Sequence, residues 1–381
     1  MRFGLTFAAL LAFATLAKGD EWSAAGGFLS PADRITLGTG GLVAKVVETD
    51  DRTEVLSVAA IRAPFDLDRL LDKARTPLGF HRAEDSLGEG RLGSPPSVAD
   101  FSTLHLDARD LELLSSCRVG DCRVRLTAEA IRQLHDRVDW SAPDRHQAVE
   151  RAFRGMLVSE AAAYLARGHS GLTAYGDGPS GVHRAEGLTE LLKRPFYLLE
   201  GAPDLADYMQ SFPSARPRLV DEFLSWRQDK FWRRPVIGLY HTMIWEASNG
   251  RERRILVASK QFYASHFYES AVDLLEVRKS ELGGEAEVAF VSRVRADVRP
   301  AGFNWLERVL LRRLVRGRLE DEFESLRTRL ARTAMAEPAS PAVAFGSGVR
   351  PRESSPPRAA GTGETRTRAG GGSPEGKLGR Q

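Results

Sequence analysis

The sequence predicts an α+β protein: an antiparallel sheet with a long C-terminal helix packed on it, interrupted by a helical insertion. Residues 254–278 form the densest β-type run. Because this run is too long for one flat strand, it predicts two strands that bend near residues 264–265. After residue 302, apolar residues recur at every third or fourth position, which is typical of a long helix. Between residues 127 and 230 the spacing is also mostly helical, and this segment separates the first β-type runs from the later ones.

The first 19 residues have the pattern of an export signal peptide. Arg2 supplies a short positive region, residues 5–16 are apolar, and small residues follow at a cleavage site. The apolar run is shorter than the roughly 20 residues that span a bilayer. We therefore expect a periplasmic or secreted protein without a membrane span, in which residues 20–50 lead into the fold.

Short β-type and helical segments follow this leader. Residues 42–48 and 54–63 are strand-like, and Asp66 is placed to cap the short helix that comes next. Residues 76–103 are rich in Gly, Pro and Ser, so we expect a loop there. We assign residues 51–331 to a single domain.

A strand pair is predicted at residues 104–126, with a turn between two cysteines. Cys117 and Cys122 bracket Arg-Val-Gly-Asp, and export would favour their oxidation. A bridge across so short a loop contributes about 2 kcal/mol by chain entropy. The alternative is a metal pair or a redox dithiol. Redox motifs place fewer residues between the sulfurs, and no second cysteine pair completes a zinc site. The sequence therefore favours a structural disulfide and predicts no metal site.

The helical insertion covers about residues 127–230. Thr127 caps its first helix, and the long helix that follows ends at Gly168. Shorter helical pieces are predicted at residues 186–200, 203–211 and 220–228. Beyond the insertion, Asn249-Gly250 is a hairpin signal between β-type runs, and further strands are predicted at residues 236–247 and 287–298.

The composition changes sharply at the end of the chain. From residue 337 onward Pro, Gly, Ser, Thr and Arg dominate, and large apolar residues are almost absent. Such a segment buries too little apolar surface to offset the entropy lost on ordering. Residues 337–381 are therefore predicted to be a disordered tail.

Several stretches together resemble a family of exported bacterial proteins without an assigned activity. They are CRVGDCRVRL, followed by a helix and Val-Asp-Trp; ASKQFYASHFYESAVDL; and residues 290–297, which lead to LVRGRLEDEFESL. The resemblance covers roughly residues 50–331, and residues 258–274 are its most specific part. It implies an exported protein and no particular activity.

The order of elements is similar to that of the START-like, or helix-grip, superfamily. In that layout a strand and a short helix precede several antiparallel strands and one long C-terminal helix across the sheet. Its members typically hold an apolar ligand between sheet and helix, so the similarity implies an apolar or lipid-like small molecule. The insertion at about residues 127–230 departs from the layout and leaves the shape of the cavity open.

Candidate ligand-binding residues lie on the central strands. His266 stands between Tyr263 and Tyr268, and Lys260 and His241 lie in strand segments that would place them near it. A Ser-His-carboxylate triad around His266 would make a hydrolase-type enzyme. Neighbouring residues of a strand face opposite sides, however, so we assign no catalytic residue. The remaining alternative is that His266 and the tyrosines anchor a bend.

The sequence leaves three functions open. The first is non-catalytic binding of an apolar or lipid-like ligand without a cofactor, and the second is the hydrolase-type activity at His266. The third is an envelope structural or membrane-surface role. The helix at residues 304–331 mixes Arg312 and Arg313 with apolar residues, as helices that rest on anionic bilayers do. A net charge of only +3 predicts no nucleic-acid partner.

Overall fold

The structure, a computed structural model, describes residues 27–51, 53–80, 83–178, 182–231, 234–296 and 305–335. Within these residues it is α+β, with one eight-stranded antiparallel sheet and eight α-helices. The strands are β1 (Val43–Val47), β2 (Glu54–Ala63), β3 (Ser86–Arg91), β4 (Asp221–Phe231), β5 (Arg234–Ser248), β6 (Glu252–Ala264), β7 (Tyr268–Ser280) and β8 (Ala286–Ala296). They lie side by side in the order β1-β2-β8-β7-β6-β5-β4-β3.

Most of the described α-helices lie between β3 and β4. The helices are α1 (Pro31–Gly38), α2 (Leu67–Ala74), α3 (Ala108–Ser116), α4 (Ala128–Arg137), α5 (Arg145–Arg167), α6 (Arg184–Lys193), α7 (Pro203–Ser211) and α8 (Trp305–Met335). The side chains of Asp66, Asp107 and Thr127 cap α2, α3 and α4 by accepting first-turn backbone N–H groups. Gly168 ends α5 with φ of 58°. A Cβ there would lie 1.8 Å from the carbonyl oxygen of Phe212, so this end requires glycine.

The sheet separates two apolar layers, because alternate residues of a strand point to opposite sides. On one side, which we call the insertion face, residues such as Trp226 and Leu256 pack in one core with residues of α3–α7. On the other side, the terminal-helix face, residues such as Ile61, Val257 and Leu275 pack with α2 and α8. Since both faces are covered, most residues of the central strands are buried on both sides of the sheet.

The predicted antiparallel α+β sheet is confirmed. Residues 254–278 fall in β6 and β7, and a tight turn joins the two strands beside the expected bend. Asn249-Gly250 lies in the connection from β5 to β6, where Gly250 has φ of 75°. The terminal helix α8 contacts β1 and β2, and the ring of its Phe323 lies 5.8 Å from that of Phe290 on β8.

Three local predictions are wrong. The segment 104–126 contains α3 instead of a strand pair, because Asp107 caps a helix that buries Leu114; only an isolated bridge pairs Arg118 with Asp121. Residues 220–228 form most of β4 instead of a helix. Their side chains are buried on both faces, which hides the alternation that marks a strand. The predicted loop at 76–103 contains β3, an edge strand paired with β4.

The disulfide between Cys117 and Cys122 is present, and both cysteines are buried in the core of the insertion face. It follows α3 directly and ties that helix to the turn before α4. None of the helices in the described part of the chain is long and apolar enough to cross a bilayer. The predicted signal peptide (residues 1–19) and the predicted disordered tail (residues 337–381) lie outside the described residues.

Candidate functional site

A cavity lies between the sheet and α8, on the terminal-helix face. Its volume is about 310 Å³, and residues of β2, β4–β8 and α8 line it. A smaller recess of about 70 Å³ adjoins it, since both are lined by Arg227, Tyr240, Asp273 and Phe290. We call the two together the sheet–helix cavity. The volume of the larger space lies at the lower end of the range of small-molecule sites.

Apolar side chains form most of the wall of the larger space. They come from five strands and from α8, and include Val55, Phe231, Val236, Ala271, Phe290, Val294 and Leu319. Water in such a space makes few hydrogen bonds, so an apolar chain that displaces it is stabilised by the hydrophobic effect.

A row of short polar side chains crosses the floor of the cavity. The strand register places Thr242 opposite Ser259, Ser259 opposite Asp273, and Asp273 opposite Ser292, on β5 to β8 in turn. Ser57 of β2 extends the row, because it pairs with Ser292. Directly paired residues point to the same side of a sheet, so the whole row lies on the terminal-helix face.

Arg227 is the buried cation of this floor. Its guanidinium carbon lies 4.1 Å from the ring centroid of Tyr240, and its Nε lies 3.6 Å from the carboxylate of Asp229. Burial alone would lower the pKa of Arg227, but Tyr240 and Asp229 raise it above its usual range. The guanidinium is therefore charged, and its counter-charge is part of the cavity.

Two other charged residues of the lining also have partners. Asp273 accepts a hydrogen bond of 2.5 Å from the hydroxyl of Ser292. Arg318 of α8 lies 3.2 Å from Asp85 and 3.8 Å from Glu322. The wall has no excess of either sign, because it carries three basic and three acidic residues: Arg227, Lys230 and Arg318, and Asp229, Asp273 and Glu322.

Phe267 lies at one edge of the cavity in an unusual backbone conformation. Its φ is 62°, a region that non-glycine residues rarely adopt and that is often found at functional sites. Its ring centroid lies 5.3 Å from that of Phe231, which in turn lies 5.1 Å from that of Tyr268. Because all three line the cavity, this aromatic cluster forms one of its edges.

His266, which precedes Phe267, is held on both ring nitrogens. Nδ1 lies 3.0 Å from the carbonyl oxygen of Arg123, and Nε2 lies 3.1 Å from the carboxylate of Asp110. The hydroxyl of Ser265 accepts a hydrogen bond from the backbone N–H of Ile237. The imidazole is buried with both nitrogens occupied, so it is poorly suited to act as a general base and well suited to hold the turn.

A second group of polar side chains lies on the insertion face. Nδ1 of His241 lies 3.0 Å from the hydroxyl of Tyr164, and Nε2 lies 2.9 Å from the carboxylate of Glu222. Glu222 also accepts a hydrogen bond of 2.7 Å from Tyr208. Burial lowers the pKa of His241 to about 4, although Glu222 opposes this effect. At neutral pH the neutral imidazole therefore donates from Nε2 to Glu222 and accepts at Nδ1 from Tyr164.

Lys260 adds a buried amine to this group. Its Nζ donates a hydrogen bond of 3.0 Å to the carbonyl of Met209 and lies 3.5 Å from Nε2 of His169. Burial lowers the pKa of Lys260 to about 7. Burial, with a smaller contribution from Lys260, lowers the pKa of His169 to about 3. These polar groups contact one another or bond to the backbone inside the core. Neither Lys260 nor His241 lines the sheet–helix cavity.

The five predicted ligand-binding residues do not come together in one site. Tyr268 lines the sheet–helix cavity. His241 and Lys260 lie on the insertion face, and Tyr263 is buried with its hydroxyl donating to a backbone carbonyl. His266 lies in the turn between β6 and β7, so His241 and His266 do not face a common cavity.

The floor residues of the cavity were missed at the level of sequence. Tyr240 and Gln261 are joined by a hydrogen bond of 2.9 Å across β5 and β6, yet no motif links them. The available signal was a polar residue at alternate positions of otherwise apolar strands, as in Tyr240 and Thr242. Only the register shows that such positions on five strands form one surface.

The described residues contain no group of three or more His, Cys, Asp or Glu side chains that could hold a metal ion. No protein-family model matches the chain. No curated protein is similar enough to count as a match either. The resemblance to exported bacterial proteins therefore stays a prediction.

Proposed function

We propose that this protein is an exported, non-catalytic binder of an apolar or lipid-like molecule, held between sheet and terminal helix as in helix-grip proteins. The observation that carries the proposal is the sheet–helix cavity, a space of about 310 Å³ with mostly apolar walls. Leu319 and Phe323 of α8 are buried against the same face of the sheet, which supports the helix-grip arrangement.

Export is supported by the disulfide and by the pattern of the first 19 residues. A disulfide persists in an oxidising compartment and is rare in the cytosol. The leader has the charge and apolar length of a cleaved signal. A periplasmic or secreted protein that carries a poorly soluble molecule needs a partly enclosed apolar site, which is what the cavity would provide.

The two alternative functions receive less support. His266 has no ring nitrogen available for proton transfer, which weakens the hydrolase reading. In the described part of α8, Leu319, Phe323 and Leu326 are buried against the sheet. Because these apolar side chains pack against the sheet, they cannot contact a bilayer. This weakens the proposal of a membrane-surface role.

The proposal is tested by recovering a ligand. Full-length protein would be purified from its host without detergent and extracted into organic solvent, and the extract would be analysed by mass spectrometry. We expect an apolar or amphipathic molecule in near-stoichiometric amount. Protein that is empty, and that also fails to increase the fluorescence of the apolar probe N-phenyl-1-naphthylamine, would contradict the proposal.

A further inference from the structure

Hydroxyl groups that the protein itself does not bond lie on the wall of the sheet–helix cavity. Ser225 of β4 and Thr242 of β5 line the smaller recess and are 1% and 8% exposed. Ser57 of β2 lines the larger space and is 6% exposed. Within the described residues, none of these three side chains forms a hydrogen bond. Each hydroxyl borders the cavity and is not sealed inside the protein, so it is free to bond a polar group of a molecule that occupies the cavity.

The charged groups of the same lining are, by contrast, balanced in sign, with three basic and three acidic residues. Nε of Arg227 lies 3.6 Å from the carboxylate of Asp229, an ion pair in which this Nε has no hydrogen-bond partner among the described residues. Asp273 accepts a hydrogen bond of 2.5 Å from the hydroxyl of Ser292. An anionic or cationic ligand would therefore bring an extra charge into a partly desolvated space. It would have to break one of these pairs or remain uncompensated, and either outcome is costly.

From these two observations we infer that the ligand is a neutral amphiphile: an apolar chain with a small head that both donates and accepts hydrogen bonds. This inference rests on the proposed function and names the chemical class of its ligand. The apolar chain lies in the larger space against Val294 and Leu319. The head lies in the recess and bonds to the hydroxyls of Ser225 and Thr242.

The dimensions of the recess are consistent with such a head. A volume of about 70 Å³ corresponds to about two waters at the roughly 30 Å³ that each occupies in the liquid, which suits a small head such as one or two hydroxyls or one ester. The recess is continuous with the larger space through Tyr240 and Phe290, which line both. A single molecule can therefore place its chain and its head in the two parts at once.

The test compares three ligands that share one ten-carbon chain. They are 1-monodecanoylglycerol, which is neutral, decanoate at pH 8, which is anionic, and decyltrimethylammonium, which is cationic. Each would displace N-phenyl-1-naphthylamine from full-length protein at concentrations below micelle formation. We expect the neutral ligand to act at a concentration at least tenfold lower than either ion, because it alone bonds the hydroxyls without adding a charge.

Two sets of substitutions test where the head group of the ligand binds. The double variant Ser225→Ala/Thr242→Val keeps the shape of the recess but removes both hydroxyls, so it should weaken the neutral ligand about five- to fiftyfold. Its affinity for the apolar probe should not change, and retained probe binding shows that the protein is folded. Ser57→Ala is the matched control. It also removes an unbonded hydroxyl from the cavity wall, but from β2, which three strands separate from β5, and it should leave the head preference intact.

The outcomes separate this inference from the proposed function. If either ion binds as tightly as the neutral ligand, or if the double variant keeps full preference, the neutral head is wrong while apolar binding stands. If the probe and all three ligands fail to bind the wild-type protein, the proposed function fails as well.

Discussion

The imidazole of His266 lies 3.1 Å from the carboxylate of Asp110, although 156 positions separate them in the chain. Asp110 belongs to α3, and His266 belongs to the turn between β6 and β7. The contact therefore ties the insertion to the turn that carries Phe267, the residue of unusual φ at the edge of the cavity. Both side chains are 3% exposed, so the pair is shielded from water.

Removing one member of this pair should strongly destabilise the protein. His266→Ala leaves the carboxylate of Asp110 buried without its partner, which costs about 3–5 kcal/mol of the free energy of unfolding. Urea unfolding at pH 7 measures the loss, and the double variant with Asp110→Ala should lose less than the sum of the single variants. His105→Ala is the control. Its side chain is exposed and lies 3.6 Å from Glu150, so the loss should stay below about 1 kcal/mol. Strict additivity in the cycle would contradict the coupling.

Reduction of the disulfide should have a modest effect. Cys117 and Cys122 are five positions apart, and closing so small a loop restricts the unfolded chain by about 2 kcal/mol. Urea unfolding with and without dithiothreitol should show a loss of this size. The variant Cys117→Ala/Cys122→Ala should not respond to the reductant. A wild-type protein whose unfolding is insensitive to the reductant would show that the bridge adds no stability.

Stability should rise with pH on the alkaline side because of Lys260. The amine titrates near 10.4 in the unfolded chain and at about 7 in the folded protein. Between these values the unfolded state binds more protons, so the free energy of unfolding increases with pH, by up to about 1.4 kcal/mol per pH unit. The variant Lys260→Met, which keeps the length of the side chain without the amine, should have a flatter profile between pH 7 and 9. Equal slopes for wild type and variant would contradict a neutral amine in the core.

Acid should destabilise the protein through His241. Its pKa of about 4 in the folded state lies below the usual value, chiefly because of burial. Between about pH 6.5 and 4 the unfolded chain takes up a proton that the folded protein rejects, so stability falls as pH falls. Guanidinium unfolding from pH 7 to 5 should show this loss. His241→Gln should reduce the slope relative to wild type, whereas His183→Gln, which changes a histidine outside this cluster, should not.

Filling the cavity should abolish binding without unfolding the protein. Ala271 of β7 is buried and lines the larger space, so Ala271→Phe places a ring where a ligand chain would lie. The variant should no longer increase the fluorescence of N-phenyl-1-naphthylamine, while circular dichroism and the thermal midpoint stay close to wild type. Ala247→Phe on β5, outside the cavity, is the control of equal size and should bind normally. Unchanged probe binding by Ala271→Phe would place the site elsewhere.

The strands and helices with strong local patterns were predictable. Residues 254–278 contain too many β-type residues for one strand, and Asn249-Gly250 marks a hairpin, so β6, β7 and their neighbours followed from local rules. Thr127 and Gly168 likewise mark the start of α4 and the end of α5. The antiparallel sheet and the disulfide were predicted in the same way.

Segments buried on both sides were not predictable from pattern alone. The strand β4 was mistaken for a helix because its two faces meet different cores, so polar and apolar residues do not alternate simply. The segment around α3 was predicted as strands because of its β-type residues. In the structure these residues pack beside the disulfide and the helices of the insertion, and not in a sheet.

The class of the fold, the disulfide and most of the central strands follow from local sequence, since each depends on residues that are close in the chain. Which side chains share a site depends instead on the pairing of the strands. This pairing places His241 and Lys260 in one core and the row from Thr242 to Ser292 in another, because a strand sends neighbouring residues to opposite faces and the register selects the residues that meet. That register joins groups more than 180 positions apart, such as Ser57 and Thr242, and no local pattern encodes it.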